Sequence, residues 1–350
     1  MKSNVLLVDD SRLVREVVRD LLVYVPDAEI CGEATNGREA LELIESKKPD
    51  LVIMDVEMPE LDGISTLREI RDRGLETTVV ILSVLTQKGA AESLEAMSLG
   101  AVDFIPKPSP TSGIKLDQMQ DLVVQKVRGI LYALREKKKR RENREVAPAT
   151  PVPSRPVRKI EEQYRLVVIG SSTGGPQALQ KVFTNLPADF PVPIVVVQHM
   201  PPVFTAAFAE RLNHLSGLTV TEASEGVALE PASVYIAPGD RHVELTGGLA
   251  EPRLRLSDAP PVFSHKPSID VTLQSAVENF NDRMIAVLMT GMGRDGVAGM
   301  KAARERGGLT VAQDEESSVV FGMNRRAIEE EAADLVIPLD DIAGVLQQFF

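Results

Sequence analysis

The chain alternates between short apolar runs and longer stretches with apolar residues every three or four positions. "NVLLVDD", "AEICGEA", "PDLVIMDVEMP", "TTVVILS" and "AVDFIPKP" read as five buried strands. Between and after them, "RLVREVVRDLLVYV", "NGREALELIESKK", "DGISTLREIRDR", "GAAESLEAMSLG" and "LDQMQDLVVQKVRGILYAL" carry helical spacing. Strands and helices in strict alternation predict a doubly wound parallel sheet. The pattern then breaks. Arg135 to Gln163 is charged, rich in proline and nearly free of large apolar residues. Such a segment cannot bury enough surface to offset the entropy of ordering it. It is read as a linker, entered by the end of a helix. The expected division is therefore a first domain at 1–125, a helix end and linker at 126–163, and a second domain at 164–350.

Alternation resumes after the linker. "YRLVVIG", "VPIVVVQHM", "RMIAVLMTG", "GLTVAQ" and "DLVIP" are strand runs. "GGPQALQKVFTNL", "PVFTAAFAERLNHL", "VTLQSAVENFN" and "GVAGMKAARERG" are helical. Leu218 to Ser268 differs, with short strands and turns. The second domain is thus also α/β and doubly wound, with a β-rich insertion.

Composition narrows what these domains can do. The formal net charge is −12, a poor start for wrapping nucleic acid, which needs a positive field. One cysteine, Cys31, permits neither an intrachain disulfide nor a cysteine-based zinc site. The opening "MKSNVLLVDD" has too short an apolar run for a signal peptide, and no run is long enough to span a bilayer. A cytoplasmic protein without membrane insertion is expected.

In the first domain, Asp9 and Asp10 end the first strand and Asp55 the third. Ser83 ends the fourth, and Lys107 follows the fifth. Alone, any of them reads as a solvated strand end. Together they face one rim of a parallel sheet. Three carboxylates repel one another and suit a hard octahedral cation such as Mg²⁺. Lys107 and the Ser83 hydroxyl can then hold the oxygens of a phosphoryl group on Asp55.

In the second domain, "VVIGSSTGGPQAL" joins a strand to a helix. Gly170 and Gly175 have P-loop spacing, but Pro176 and Gln177 stand where lysine and a hydroxyl residue are required. Ser172 occupies the second glycine of a dinucleotide fingerprint, where a side chain obstructs the pyrophosphate. Gly170, Ser172 and Gly174 instead form G-x-S-x-G, a turn that lifts a serine hydroxyl above a sheet. The motif alone fits equally well a structural turn whose serine caps the helix. Partners favour the nucleophile. His199 ends the next strand on the same rim, and Asp295 lies in the loop after a third. His242 and His265 remain alternative bases, and Asp240 and Asp270 alternative acids. His214 follows a helix and reads as surface.

On "VDDS", "VIMDVEMPELDG", "ILS" and "DFIPKP", the first domain resembles the receiver domain of response regulators. The resemblance implies a flavodoxin-like sheet, Mg²⁺, and phosphorylation of Asp55 by a histidine kinase, with Phe104 as the aromatic switch position. "GSSTGGP", "QHMPPVFT", "YIAPGDRH", "APPVFSHKPSID", "LMTGMGRDG" and "AQDEESSVVFGM" resemble the CheB-type chemotaxis methylesterases. By that resemblance Ser172, His199 and Asp295 form the triad. The Met292 N–H and neighbours of Thr173 support the oxyanion, and the catalytic domain needs no metal. The implied substrate is a methylated glutamate on a chemoreceptor cytoplasmic domain, with deamidation of receptor glutamines by the same acyl chemistry. The receiver is expected to cover the esterase cleft until Asp55 is phosphorylated. Arg294 stands where the family often has Asn, and Asn324 where it often has Pro; both are expected to flank the site. A phosphorylation-controlled scaffold without turnover is the alternative. A DNA-binding output has no helix-turn-helix or basic domain to support it.

Overall fold

A computed structural model describes residues 2–107, 116–143 and 164–350. The chain divides into two compact units, with the boundary between Val146 and Ala147. In the first unit, five strands alternate with five helices: β1 (Ser3–Val8), α1 (Arg12–Leu22), β2 (Ala28–Ala34), α2 (Gly37–Lys47), β3 (Leu51–Asp55), α3 (Gly63–Asp72), β4 (Thr78–Ser83), α4 (Gln87–Ser98), β5 (Asp103–Pro106) and α5 (Leu116–Asn143). The sheet order is β2-β1-β3-β4-β5, and every pairing is parallel. This is the flavodoxin-like order expected. The helices start where short polar side chains can accept the first free N–H groups: Ser11, Asn36, Asp62 and Thr86 cap α1 to α4.

Helix α5 runs further than its apolar spacing predicts, through the first part of the segment read as linker. Arg, Lys and Glu are good helix formers. The extension is anchored by Arg135 to Asp27 at 2.7 Å and supported by Lys139 to Glu136 at 2.9 Å. The rest of that linker, 144–163, and the expected end of the fifth strand run at Pro108 lie outside the described residues.

The second unit is built on seven parallel strands in the order β14-β13-β12-β6-β7-β9-β8. In chain order its elements are β6 (Leu166–Ser171), α6 (Gly175–Thr184), β7 (Ile194–Gln198), α7 (Pro202–Leu215), β8 (Thr219–Glu222), β9 (Ser233–Ile236), β10 (His242–Thr246), β11 (Arg253–Ser257), α8 (Ile269–Phe280), β12 (Met284–Leu288), α9 (Val297–Glu305), β13 (Leu309–Gln313), α10 (Met323–Glu329), β14 (Leu335–Ile337) and α11 (Leu339–Gln347). The β-rich segment divides: β8 and β9 extend the main sheet to its edge, while β10 and β11 pair antiparallel on their own. Helices α10 and α11 are additions to the expected set. From the central β6 the chain first builds toward β7 and later returns to β6's other side with β12. Ligands of open parallel sheets bind at that kind of switch point, outside the carboxyl ends of the strands. No helix among the described residues is long and apolar enough to cross a membrane.

Candidate functional site

Strand register brings the second unit's polar residues together. Ser171 in β6 pairs with Gln198 in β7, so the next residues out are Ser172 and His199. On β6's other side Leu288 pairs with Gly170. Two residues beyond each, the Ser172 N–H donates to Thr290 O at 3.0 Å. The chain then turns sharply into α6 through Gly174, whose φ of 80° is a left-handed conformation that suits glycine. Backbone from the β12 loop packs directly on the serine: a Cβ at Gly291 would lie 2.7 Å from that of Ser172. Ser172 is left half-buried at the rim.

One buried side chain ties this serine to the histidine, and motif reading passed over it. Gln198 is 2% exposed. Its Nε2 donates to both Ser172 O (3.0 Å) and His199 O (3.2 Å), and its Oε1 accepts from the Ser171 hydroxyl at 2.7 Å. The available signal was a lone amide ending the apolar run "IVVVQ". Such a group is placed inside only when its hydrogen bonds are met.

Asp295 is almost wholly buried and accepts four hydrogen bonds. They come from His199 Nε2 (2.8 Å), Ser268 Oγ (2.8 Å), Ile269 N (2.7 Å) and Asp270 N (3.1 Å). The last three donors surround the start of α8, so the carboxylate sits at a helix N-terminus. Burial alone would push its pKa up; the His199 hydrogen bond and charge and the other donors outweigh it and hold Asp295 below its ordinary value. An ionised carboxylate only accepts, so His199 Nε2 carries the proton. Its Nδ1 is buried and without a hydrogen-bond partner. Ser172 therefore makes no hydrogen bond to His199 in this state. Such contacts often close only when substrate is present.

The alternatives fall elsewhere. His242 is fully buried with both nitrogens engaged: Nδ1 accepts from Ser268 N at 3.1 Å, and Nε2 donates to Pro260 O at 3.1 Å. His214 is exposed near the end of α7. His265 lies flat on His199, ring centroids 3.8 Å apart and planes 9° from parallel. Asp240 is exposed in a left-handed turn. Asp270 accepts from Gly299 N at 2.7 Å. It thereby caps α9, whose own N-cap, Gly296, has no side chain to offer. Burial raises Asp270 to a pKa of about 6.

The N–H groups of Thr173 and Met292 find no acceptor among the described residues. Thr173 is buried and its carbonyl accepts from the Thr290 hydroxyl at 2.8 Å; Met292 follows Gly291. Arg294 is half exposed beside Asp295. Asn324 is fully buried, donating to Gln313 O and Ser318 Oγ at 2.8 Å each, so its side chain offers nothing to solvent.

In the first unit, Asp9, Asp10 and Asp55 offer oxygens all within 4.8 Å of one another. Lys107 Nζ lies 2.9 Å from Asp9 and 2.6 Å from Asp55. Asp9 Oδ2 is buried and, despite that ion pair, has no well-directed hydrogen bond. Three carboxylates whose oxygens gather this closely fit a hard cation. Burial raises the Asp55 pKa from 3.8 to about 6, against the pull of Lys107 and with the help of Asp9. Burial pulls Lys107 down, but Asp55 and Asp9 overcome it and leave it above its ordinary value. Ser83 stands on the same rim, yet its hydroxyl donates to Gly89 O at 3.0 Å, toward α4. Phe104 is buried under the Lys126 ammonium, 4.7 Å from the ring centroid.

Both units resemble known proteins. Residues 167–346 match the CheB methylesterase family, and residues 5–117 match the response regulator receiver domain family. A protein-glutamate methylesterase/protein-glutamine glutaminase of Pyrococcus horikoshii is 41% identical over 97% of this chain and 92% of its own. A Thermotoga maritima protein of the same description is 41% identical over 95% and 94%. The crystal structure of the Thermotoga maritima CheB methylesterase catalytic domain covers 54% of this chain and 100% of its own, at 44% identity and a TM-score of 0.53.

Two outcomes follow from the geometry. Gln198→Leu keeps the volume but removes both N–H donors. Labelling of Ser172 by a fluorophosphonate should slow by roughly tenfold or more, the kinetic equivalent of about 1.4 kcal/mol; an unchanged rate would show that the amide does not position the serine. For Asp55, the raised pKa means the folded state holds a proton more tightly than the unfolded one. The associated stability is present below pH 3.8 and lost as pH rises through about 6. Asp55→Asn should therefore stabilise the first unit at pH 7.5 in metal-free buffer, by up to about 3 kcal/mol. The gain should vanish near pH 4. Thermal unfolding at the two pH values reads both.

Proposed function

This chain belongs to the CheB methylesterase family, with a receiver domain ahead of the catalytic one, and from that premise we propose that it hydrolyses glutamate methyl esters on chemoreceptor cytoplasmic domains under control of phosphorylation. The observation that carries the reading is the His199–Asp295 hydrogen bond, which leaves a bare Nδ1 on the strand next to Ser172. Ser172 Oγ attacks the ester carbonyl while His199 Nδ1 takes its proton. The N–H groups of Thr173 and Met292 hold the negative oxygen of the tetrahedral intermediate. His199 returns the proton to the departing methanol, leaving a glutamyl ester on Ser172. Water then adds with His199 again as base, and the collapse frees the glutamate carboxylate and the serine. Asp295 keeps the tautomer and stabilises the imidazolium. A receptor glutamine, losing ammonia in place of methanol, follows the same course. The catalytic unit needs no metal for these steps.

In the receiver, Asp9, Asp10 and Asp55 would hold a Mg²⁺ ion. When bound, it neutralises charge on a phosphoryl group passing to Asp55. Lys107 supplies the fixed counter-charge, and the Ser83 hydroxyl turns from Gly89 O toward the new phosphoryl oxygens. The donor is the phosphohistidine of a chemotaxis kinase, and the protein works in the cytoplasm. We take the receiver as residues 1–125, the helix end and linker as 126–163, and the catalytic domain as 164–350. Phosphorylation relieves an inhibition that the receiver exerts on the esterase cleft, because only a contact that differs between the two charge states can shift such an equilibrium.

Methanol release from methylated receptor cytoplasmic fragments tests the reading. Wild-type protein should release methanol, faster with a small-molecule phosphodonor, and Ser172→Ala should release none. No release in any condition would instead support a scaffold without turnover. Deleting residues 1–163 should raise the rate of the unphosphorylated enzyme; an unchanged rate would contradict inhibition by the receiver.

A further inference from the structure

A short turn beside the catalytic histidine is built at odds with its own residue types. Val262 and His265 exchange both backbone hydrogen bonds, at 3.0 and 2.8 Å. The two residues between them, Phe263 and Ser264, have φ of 49° and 66°. Two-residue turns of this hand are made by Asn and Gly; phenylalanine is strained there. Strain of this kind persists where the surroundings enforce it, and it gathers at functional sites. Here it has a visible result. The turn sets the His265 ring flat on His199 and points Phe263 outward, 55% exposed.

Phe263 is not bare on every side. The Arg294 guanidinium lies 5.7 Å from its ring centroid. Arg294 immediately precedes Asp295, so the cation and the aromatic edge are fixed to the same machinery from two directions. The one acidic group paired with Arg294 is Glu330 at 3.7 Å, beyond hydrogen-bond length. Lys266, the residue after His265, has no ion pair among the described residues.

We infer that Phe263 and Arg294 form a substrate-selecting lip, and that it favours helical protein segments with a carboxylate about one turn from the esterified glutamate. This rests on the esterase reading above. Phe263 supplies apolar contact to the substrate helix. A cation–π contact with its ring, 5.7 Å from Cζ to the centroid, restrains the guanidinium, whose fork suits a carboxylate.

The test uses the full-length protein with a phosphodonor and two helical peptides. Each carries one glutamate γ-methyl ester; the residues one turn away are Glu in one and Gln in the other. Wild type should favour the Glu peptide by about tenfold in kcat/KM, a charge-assisted pair's worth, with the difference in KM and reduced by salt. Arg294→Asn should bring the ratio to about one, and Arg294→Lys should keep part of it. Phe263→Ala should raise KM for both peptides. A wild-type ratio near one, or a ratio unchanged in Arg294→Asn, overturns the inference. Peptide affinities of Ser172→Ala separate the two claims: if neither peptide is turned over, the esterase reading fails, while equal affinities would sink the lip and a tighter Glu peptide would uphold it.

Discussion

Everything in the catalytic unit is arranged around one buried carboxylate. Asp295 accepts four hydrogen bonds at almost no solvent exposure. A charge at that depth is stable only if its donors are all in place, and the loss of one leaves a penalty of several kcal/mol, on the order of that for breaking a buried pair. That requirement fixes the start of α8, the glycine-rich loop after β12, and the imidazole of His199 relative to one another. Asp270 continues the chain of constraints, since its carboxylate caps α9 and so closes the loop that carries Asp295. The tautomer of His199 is thus a consequence of how the fold satisfies one negative charge.

The two units apply the same architecture to opposite electrostatic ends. Both place functional side chains at the carboxyl edge of a parallel sheet, where register alone sets neighbours. In the receiver the edge gathers three carboxylates and a lysine, a surplus of negative charge that a divalent cation would balance. In the esterase the edge gathers a serine, an imidazole and free N–H groups, and the Asp295 carboxylate is sealed behind the histidine. The first suits transfer of a charged group, the second formation of a transient oxyanion.

Most of this was legible in the sequence because buried parallel strands are unbroken apolar runs and functional residues punctuate their ends. Asp9, Asp55, Ser172 and His199 could be placed on their rims by counting from those runs. Less legible were features set by tertiary contact. Nothing local in "LTVTEASEG" says that it extends the main sheet as β8. The charged start of the linker is helical through an ion pair to a residue far away in the chain, Asp27. Gln198 belongs to no motif, and its worth is visible only once β6 and β7 are paired. The burial of Asn324 is likewise set by packing and not by any local pattern. The flat stacking of His265 on His199 depends on a strained turn that residue preferences argue against.

The claim on which the rest stands is that Asp295 holds His199 with its proton on Nε2 and Nδ1 open as the base. Nitrogen-15 NMR of the histidine rings in the intact protein at neutral pH reads this directly. A protonated Nε2 and a bare Nδ1 for His199, with that distinction lost in Asp295→Ala, is the predicted result. A proton on Nδ1 in the wild-type protein, or a tautomer indifferent to Asp295, would contradict it.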